Sequence, residues 1–132
     1  MTASGRIWYN EIGREIVGAA IEVHRELGPG LLEAVYETCM MKELADRRLS
    51  VTNQVNLPIE YKGESLDKYF TIDILVEDAV IIELKSVAEM QGIYTAQILT
   101  YLRLSGKKLG YLINFNVPLL KSGIRRFING EI

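Results

Sequence analysis

The sequence predicts an α/β domain in which a largely helical first half precedes a sheet. Three observations predict it. Apolar residues recur every three or four positions as far as Leu44, recur every second position from Val51, and form two buried runs around one more helical stretch between Ala79 and Phe115. With 132 residues, 48% hydrophobic and 24% charged, the chain has the size and composition of one globular unit, and a single domain over residues 1–132 is expected.

The first helix spans roughly residues 8–27, because Ile12, Ile16, Ala19, Ala20, Val23 and Leu27 share one face while Glu11, Glu15, Glu22 and Arg25 share the other. It ends at Gly28-Pro29-Gly30, where proline cannot continue the preceding helix. A second helix begins near Leu31, with Leu32, Val35, Tyr36, Cys39 and Leu44 as its apolar stripe, and fades through Asp46-Arg47-Arg48. Val51 to Tyr61 reads as a strand, Lys62-Gly63-Glu64 as a hairpin turn, and Leu66 to Val76 as a second strand. Strict alternation assigns Phe70, Ile72, Ile74 and Val76 to one face of that strand, and Tyr69, Thr71, Asp73 and Leu75 to the other. Ala79 to Lys85 is apolar on both faces at its start and belongs in mid-sheet. A helix with Ala96, Ile98, Leu99 and Leu102 as its buried stripe then ends at Ser105-Gly106. Leu109 to Phe115 follows as a strand parallel to 79–86, joined by a right-handed crossover, and Ile124 and Phe127 mark an edge strand.

Fifteen basic and 17 acidic residues give a net charge of -2, which excludes a uniformly cationic nucleic-acid coat. The charge is uneven: residues 1–96 sum to -7 and residues 97–132 to +5. Lys107, Lys108, Lys121, Arg125 and Arg126 supply most of the positive end, which reads either as a solvated face or as a nucleic-acid-binding surface facing phosphates. A lone Cys39, no apolar signal core at the N-terminus and no run of about 20 apolar residues point to a cytoplasmic protein with no membrane span.

The chemistry concentrates at Glu83-Leu84-Lys85, where charge ends a central strand. Glu83 and Lys85 share a face, and burying either without a partner would cost several kcal/mol. Asp73 can lie opposite Glu83 if the turn at Glu77-Asp78-Ala79 holds an odd number of residues or a bulge; a two-residue turn would send it to the other face. The cluster is then either a structural salt bridge or a divalent metal site, with Asp73, Glu83 and the carbonyl of Leu84 as hard oxygen ligands and Lys85 beside the attacking water. Gly30, Glu33 and Tyr36 share one helical stripe, and Tyr94, Gln97 and Tyr101 another. Packing and capping are the ordinary account of these residues, and the favoured one for either tyrosine taken alone.

Gly30-Leu31-Leu32-Glu33-Ala34-Val35-Tyr36 resembles the G-x-x-E-x-x-Y signature of a group of small bacterial and archaeal proteins within the PD-(D/E)xK nuclease superfamily. The runs 22–30, 61–63, 73–76, 83–85, 97–102 and 110–115 resemble that family's blocks in the same order, so the likeness spans Ile12 to Phe115. It implies a restriction-endonuclease-like core of helix, three-stranded meander, helix and parallel strand, with an extra N-terminal helix and a site at the fork of the second and third strands. It also implies roles residue by residue. Asp73, Glu83 and Lys85 match the catalytic acids and lysine, Glu33 the acid of the first core helix that completes the metal shell or holds a water, and Gln97 and Tyr101 a Q-x-x-x-Y whose glutamine faces the site. Tyr36 is expected to support Glu33 from behind. Ile72 stands where the superfamily's name has proline, and His24 is expected to pack or cap.

The function so implied is Mg²⁺- or Mn²⁺-dependent hydrolysis of phosphodiester bonds in nucleic acid, DNA foremost. The alternative is a nuclease-fold module that binds or assembles with a protein partner and does no chemistry. A homodimer would offer two sites to two strands. Nucleotide phosphate transfer is disfavoured, since Ser105-Gly106-Lys107 is not a phosphate-binding loop.

Overall fold

In the computed structural model, which describes residues 3–132, the first helix starts earlier than its apolar stripe. Helix α1 runs Ala3–Leu27 and helix α2 Glu33–Asp46. Nothing in the polar residues before Trp8 forbids helical geometry, so the helix continues past its buried face. Gly28 and Gly30 both take positive φ, 70° and 96°, and this lets the chain turn sharply between the helices. Helix α2 begins two residues later than its sequence suggests because Leu32 is extended. Its buried stripe is Tyr36, Met40 and Leu44, spaced by four, while Leu32 and Val35 face outward at 78% and 40% exposure.

Five strands follow: β1 Val51–Tyr61, β2 Glu64–Val76, β3 Val80–Lys85, β4 Leu109–Asn114 and β5 Ile124–Ile128, with helix α3 at Gly92–Ser105. They form one sheet in chain order. Only β3 and β4 are parallel; the other neighbours are antiparallel. The β1–β2 hairpin closes on Lys62 and Gly63, both at positive φ, as a two-residue primed turn requires; Glu64 already pairs with Tyr61. The expected edge strand is β5, preceded by a 3₁₀ turn at Leu120–Gly123.

Helices α1 and α2 cover one face of the sheet. Ile12, Ile16, Ala19 and Val23 of α1 and Tyr36, Met40 and Leu44 of α2 meet Ile74, Val76, Val80, Ile82, Tyr111 and Ile113 there. Helix α3 covers the other face with Ile98 and Leu102, against Ile72, Leu75, Ile81 and Leu112. Ala96 and Leu99, expected to be buried, are exposed, since a helix that is the sole cover of its face buries only the narrow stripe pointing at the sheet. Gly110 allows the close approach: a Cβ there would lie 3.1 Å from Cδ1 of Ile98.

The expected single face of Phe70, Ile72, Ile74 and Val76 is not what forms. Phe70 and Ile72 pack on the α3 side, Ile74 and Val76 on the α1–α2 side. Strand β1 changes sides with its partner, Val55 lying on the α3 side and Val51 on the other. The ribbon therefore swivels between these residues, at Gln54, which has φ 51°. Gln54 falls between the pairs Asn53↔Ile74 and Val55↔Ile72, so the swivel lies beside Asp73.

Candidate active site

Strand β2 pairs with β3 through Val76↔Val80, Leu75↔Ile81 and Ile74↔Ile82. The turn between them, Glu77-Asp78-Ala79, is odd-numbered, so the next positions to face each other are Asp73 and Glu83. There the backbone ladder stops and the two carboxylates take over its bonds. The Asp73 N–H donates to Oε1 of Glu83 at 3.1 Å, and the Leu84 N–H donates to Oδ2 of Asp73 at 2.8 Å. Each carboxylate thus commits one oxygen to a backbone amide. This is how a central strand tolerates two acids at its end: they satisfy amides that would otherwise be orphaned.

The arrangement is costly in charge. Burial, then the Asp73 carboxylate, pushes the Glu83 carboxyl up to about 8. Asp73 is also raised, by burial first, against the lowering effect of the Leu84 N–H; among charges Glu37 raises it, Lys85 lowers it and Glu33 raises it. Lys85 does not cancel the pair by contact. Its Nζ lies 4.6 Å from the centroid of the Tyr94 ring, and among the described residues it forms no ion pair within 4 Å. A salt bridge closing the cluster is therefore not what the fold builds.

Of the other expected residues, Tyr101 reaches the site's flank. It stacks on Phe70 at 4.5 Å, and its hydroxyl is raised by burial, then by the charges of Glu83 and Asp73. Gln97 is exposed one turn earlier on α3, with no hydrogen bond to either acid. Glu33 is exposed at the first position of α2. Its charge nevertheless raises Asp73, as that of Glu37 does, although among the described residues no three His, Cys, Asp or Glu side chains gather as a metal-binding group. Tyr36 directs the hydrogen bonds of its hydroxyl to the glycine loop and not to Glu33. It is buried, stacks on Phe115 at 4.3 Å, donates its hydroxyl to the Gly28 carbonyl at 2.6 Å and accepts the Leu31 N–H at 3.2 Å. It braces the glycine loop, and Ser86 ties that loop to the end of β3 by donating to the Leu31 carbonyl at 2.5 Å. His24 packs as expected, with Nε2 2.8 Å from the Val117 carbonyl.

The basic residues do not form one surface beside the acids. Parallel pairing sets Leu109 beside Val80 and Asn114 beside Lys85. Lys107 and Lys108 thus sit at the far end of β3, about 16 Å from the fork at ~3.3 Å per residue. Lys107 Nζ is occupied there by the Asp78 carbonyl at 2.7 Å and carboxylate at 3.4 Å. Arg125 and Arg126 are consecutive in β5 and point to opposite faces; Arg126 donates to Asn10 of α1 at 3.0 Å. Lys121 is exposed in the 3₁₀ turn. Glu37, which sequence reasoning missed, does face the site. Its signal was its place four residues beyond Glu33, on the same side of α2.

The donor set suits a hard divalent cation. Asp73 and Glu83 offer carboxylate oxygens, and the Leu84 carbonyl opens on the same side of β3 as its N–H, into the fork. Two carboxylates and several retained waters are how Mg²⁺ is commonly held. A helix-flanked sheet whose second and third strands part around two acids and a lysine defines the class: a nuclease-type fold with an acidic fork. The family model of the PD-(D/E)XK nuclease superfamily matches residues 10–127, and the chain belongs to that superfamily. Its members usually use divalent metals and act on nucleic acid. No curated protein matches the chain. No helix among the described residues is long and apolar enough to cross a membrane.

Proposed function

We propose that this chain is a Mg²⁺- or Mn²⁺-dependent nuclease of the GxxExxY group, hydrolysing phosphodiester bonds in DNA at the β2–β3 fork. The observation that carries the reading is the interlocked pair of half-buried Asp73 and buried Glu83, with no cation in ion-pair contact among the described residues. Such a pair is poorly suited to a purely structural role and well suited to holding positive charge.

Asp73, Glu83 and the Leu84 carbonyl would hold the ion, which when bound lowers the pKa of coordinated water and offsets charge on the phosphoryl group. Lys85 places its Nζ over Tyr94, where it would position the attacking water or help deprotonate it. Tyr101 and Phe70 wall the site on the α3 side.

The test is cleavage of labelled single-stranded, duplex and branched DNA with Mg²⁺ or Mn²⁺ against a chelator, for the native chain, Asp73→Ala and Lys85→Ala. Metal-dependent cutting lost in both variants is the expected result. No cutting, together with no metal-induced rise in melting temperature that Asp73→Ala removes, overturns the reading in favour of a binding module with a protein partner.

A further inference from the structure

Asp73 reaches its amide partner sideways, in the plane of the sheet, and the swivel of the β1–β2 ribbon makes that reach available. Ile72 packs on the α3 side and Ile74 on the α1–α2 side, so Asp73 stands at the corner between them. The swivel depends on Gln54 across the ladder, which holds φ 51° without being a glycine, a conformation that persists only where its surroundings over-determine it. Those surroundings are visible. Glu37 of α2 accepts the Gln54 Nε2 amide on Oε1 at 2.7 Å and the Asn53 Nδ2 amide on Oε2 at 3.0 Å. One carboxylate thus fastens both the left-handed residue and its neighbour to the helix.

We infer that Glu37 is a positioning residue: by clamping Asn53 and Gln54 it holds the ribbon's swivel, and through it the Asp73 carboxylate against the Leu84 amide. The inference deepens the proposed nuclease reading, yet its first readout needs neither metal nor substrate. The Leu84 amide donates to Asp73 and is expected to be protected from hydrogen exchange by that bond in the metal-free protein, whereas Leu75, Ile81 and Ile82 lie in the regular part of the sheet.

Amide exchange followed by NMR on the full chain is the experiment, for the native protein, Glu37→Ala and Glu37→Ala combined with Gln54→Gly. In Glu37→Ala the Leu84 amide is expected to exchange roughly tenfold faster or more, the consequence of freeing one strained residue, while Leu75, Ile81 and Ile82 keep their native rates. Glycine reaches φ 51° without steric cost, so the double variant recovers most of the Leu84 protection. In DNA cleavage, Glu37→Ala lowers kcat about tenfold, leaves KM for DNA near its native value and raises the Mn²⁺ concentration giving half-maximal rate. Uniform acceleration of exchange across the sheet, unchanged Leu84 exchange, or no recovery in the double variant overturns the inference. Because exchange is read without metal or DNA, failure of the nuclease reading would leave this result separately legible.

Discussion

Raising the pH of the metal-free protein from about 5 to 8 is expected to lower its stability, with Glu83 as the main cause. Its carboxyl is pushed from the ordinary 4.5 to about 8 by burial and then by Asp73. A group whose folded pKa lies above its unfolded one stabilises the fold fully below the unfolded value, and that contribution disappears as pH rises through the folded value. Across this window the folded state holds a proton that the unfolded state has released. Each pH unit withdraws about 1.4 kcal/mol, so the total loss is on the order of 3–5 kcal/mol. At roughly 3–4 °C per kcal/mol for a chain of this length, the melting temperature falls by about 10 °C or more. Glu83→Gln keeps the shape and removes the ionisation, so its melting temperature is nearly flat over the same range, and at pH 8 it exceeds the native metal-free value. Adding Mg²⁺ at pH 8 restores the native protein, by about 2.7 kcal/mol at a hundredfold excess over its dissociation constant, and does little for Glu83→Gln. The assay is thermal unfolding at a series of pH values with chelator or Mg²⁺. Taking the difference between native and variant cancels the titration of groups that do not interact with Glu83, leaving Glu83 itself with its partners Asp73 and Tyr101. A native melting temperature that rises or stays level from pH 5 to 8, or a variant that keeps the native slope, would refute the argument.

Three further outcomes follow from single contacts. Tyr94→Leu removes the ring under the Lys85 ammonium, a contact worth about 0.5–2 kcal/mol, so kcat for DNA cleavage should fall about two- to thirtyfold while the Mg²⁺-induced rise in melting temperature stays native. Lys107→Ala should leave cleavage within about twofold of native in a salt-titrated rate assay, because that ammonium is held by Asp78 at the far end of β3 and does not meet the substrate's phosphates. Tyr36→Phe keeps the stack on Phe115 but strands the Gly28 carbonyl and the Leu31 N–H; urea unfolding should show a loss of about 1–3 kcal/mol.

Much of the fold was legible because local periodicity and turn chemistry agree. The switch from helical to alternating period at Val51, the Lys62-Gly63 turn and the buried run before Glu83 each point to one structure. Spacing left the meeting of Asp73 with Glu83 conditional on an odd-numbered turn, and the register of β2 with β3 supplies it through the three residues Glu77-Asp78-Ala79. The swivel was not readable. Phe70, Ile72, Ile74 and Val76 alternate without a break, and a swivel that exchanges one apolar face for another leaves that pattern intact. Its one trace is the backbone angle of Gln54, a residue whose type gives no warning of positive φ. The basic tail could not be placed from the sequence for a different reason: counting charge along the chain takes no account of a parallel crossover that returns Lys107 and Lys108 to the opposite end of the sheet while setting Arg125 level with Glu83 across β4.

The same physics explains why the acids were legible and their supports were not. A carboxylate at the end of a buried strand stands out because burial makes its charge expensive. Glu37, Asn53 and Tyr94 are ordinary residues on half-buried or exposed positions, and only their partners give them significance. Glu83 carries the argument one step further. Replacing a buried charge by an apolar side chain of similar volume is often neutral or stabilising, and the Leu84 amide is satisfied by Asp73 rather than by Glu83. Among the described residues the Asp73 N–H is the single backbone group that Glu83 serves, and leaving it unsatisfied would cost about 1–3 kcal/mol, no more than burial and the neighbouring carboxylate take away. Structure alone therefore gives this chain little reason to hold a glutamate there, whereas a site that takes up a divalent cation turns the same repulsion into affinity.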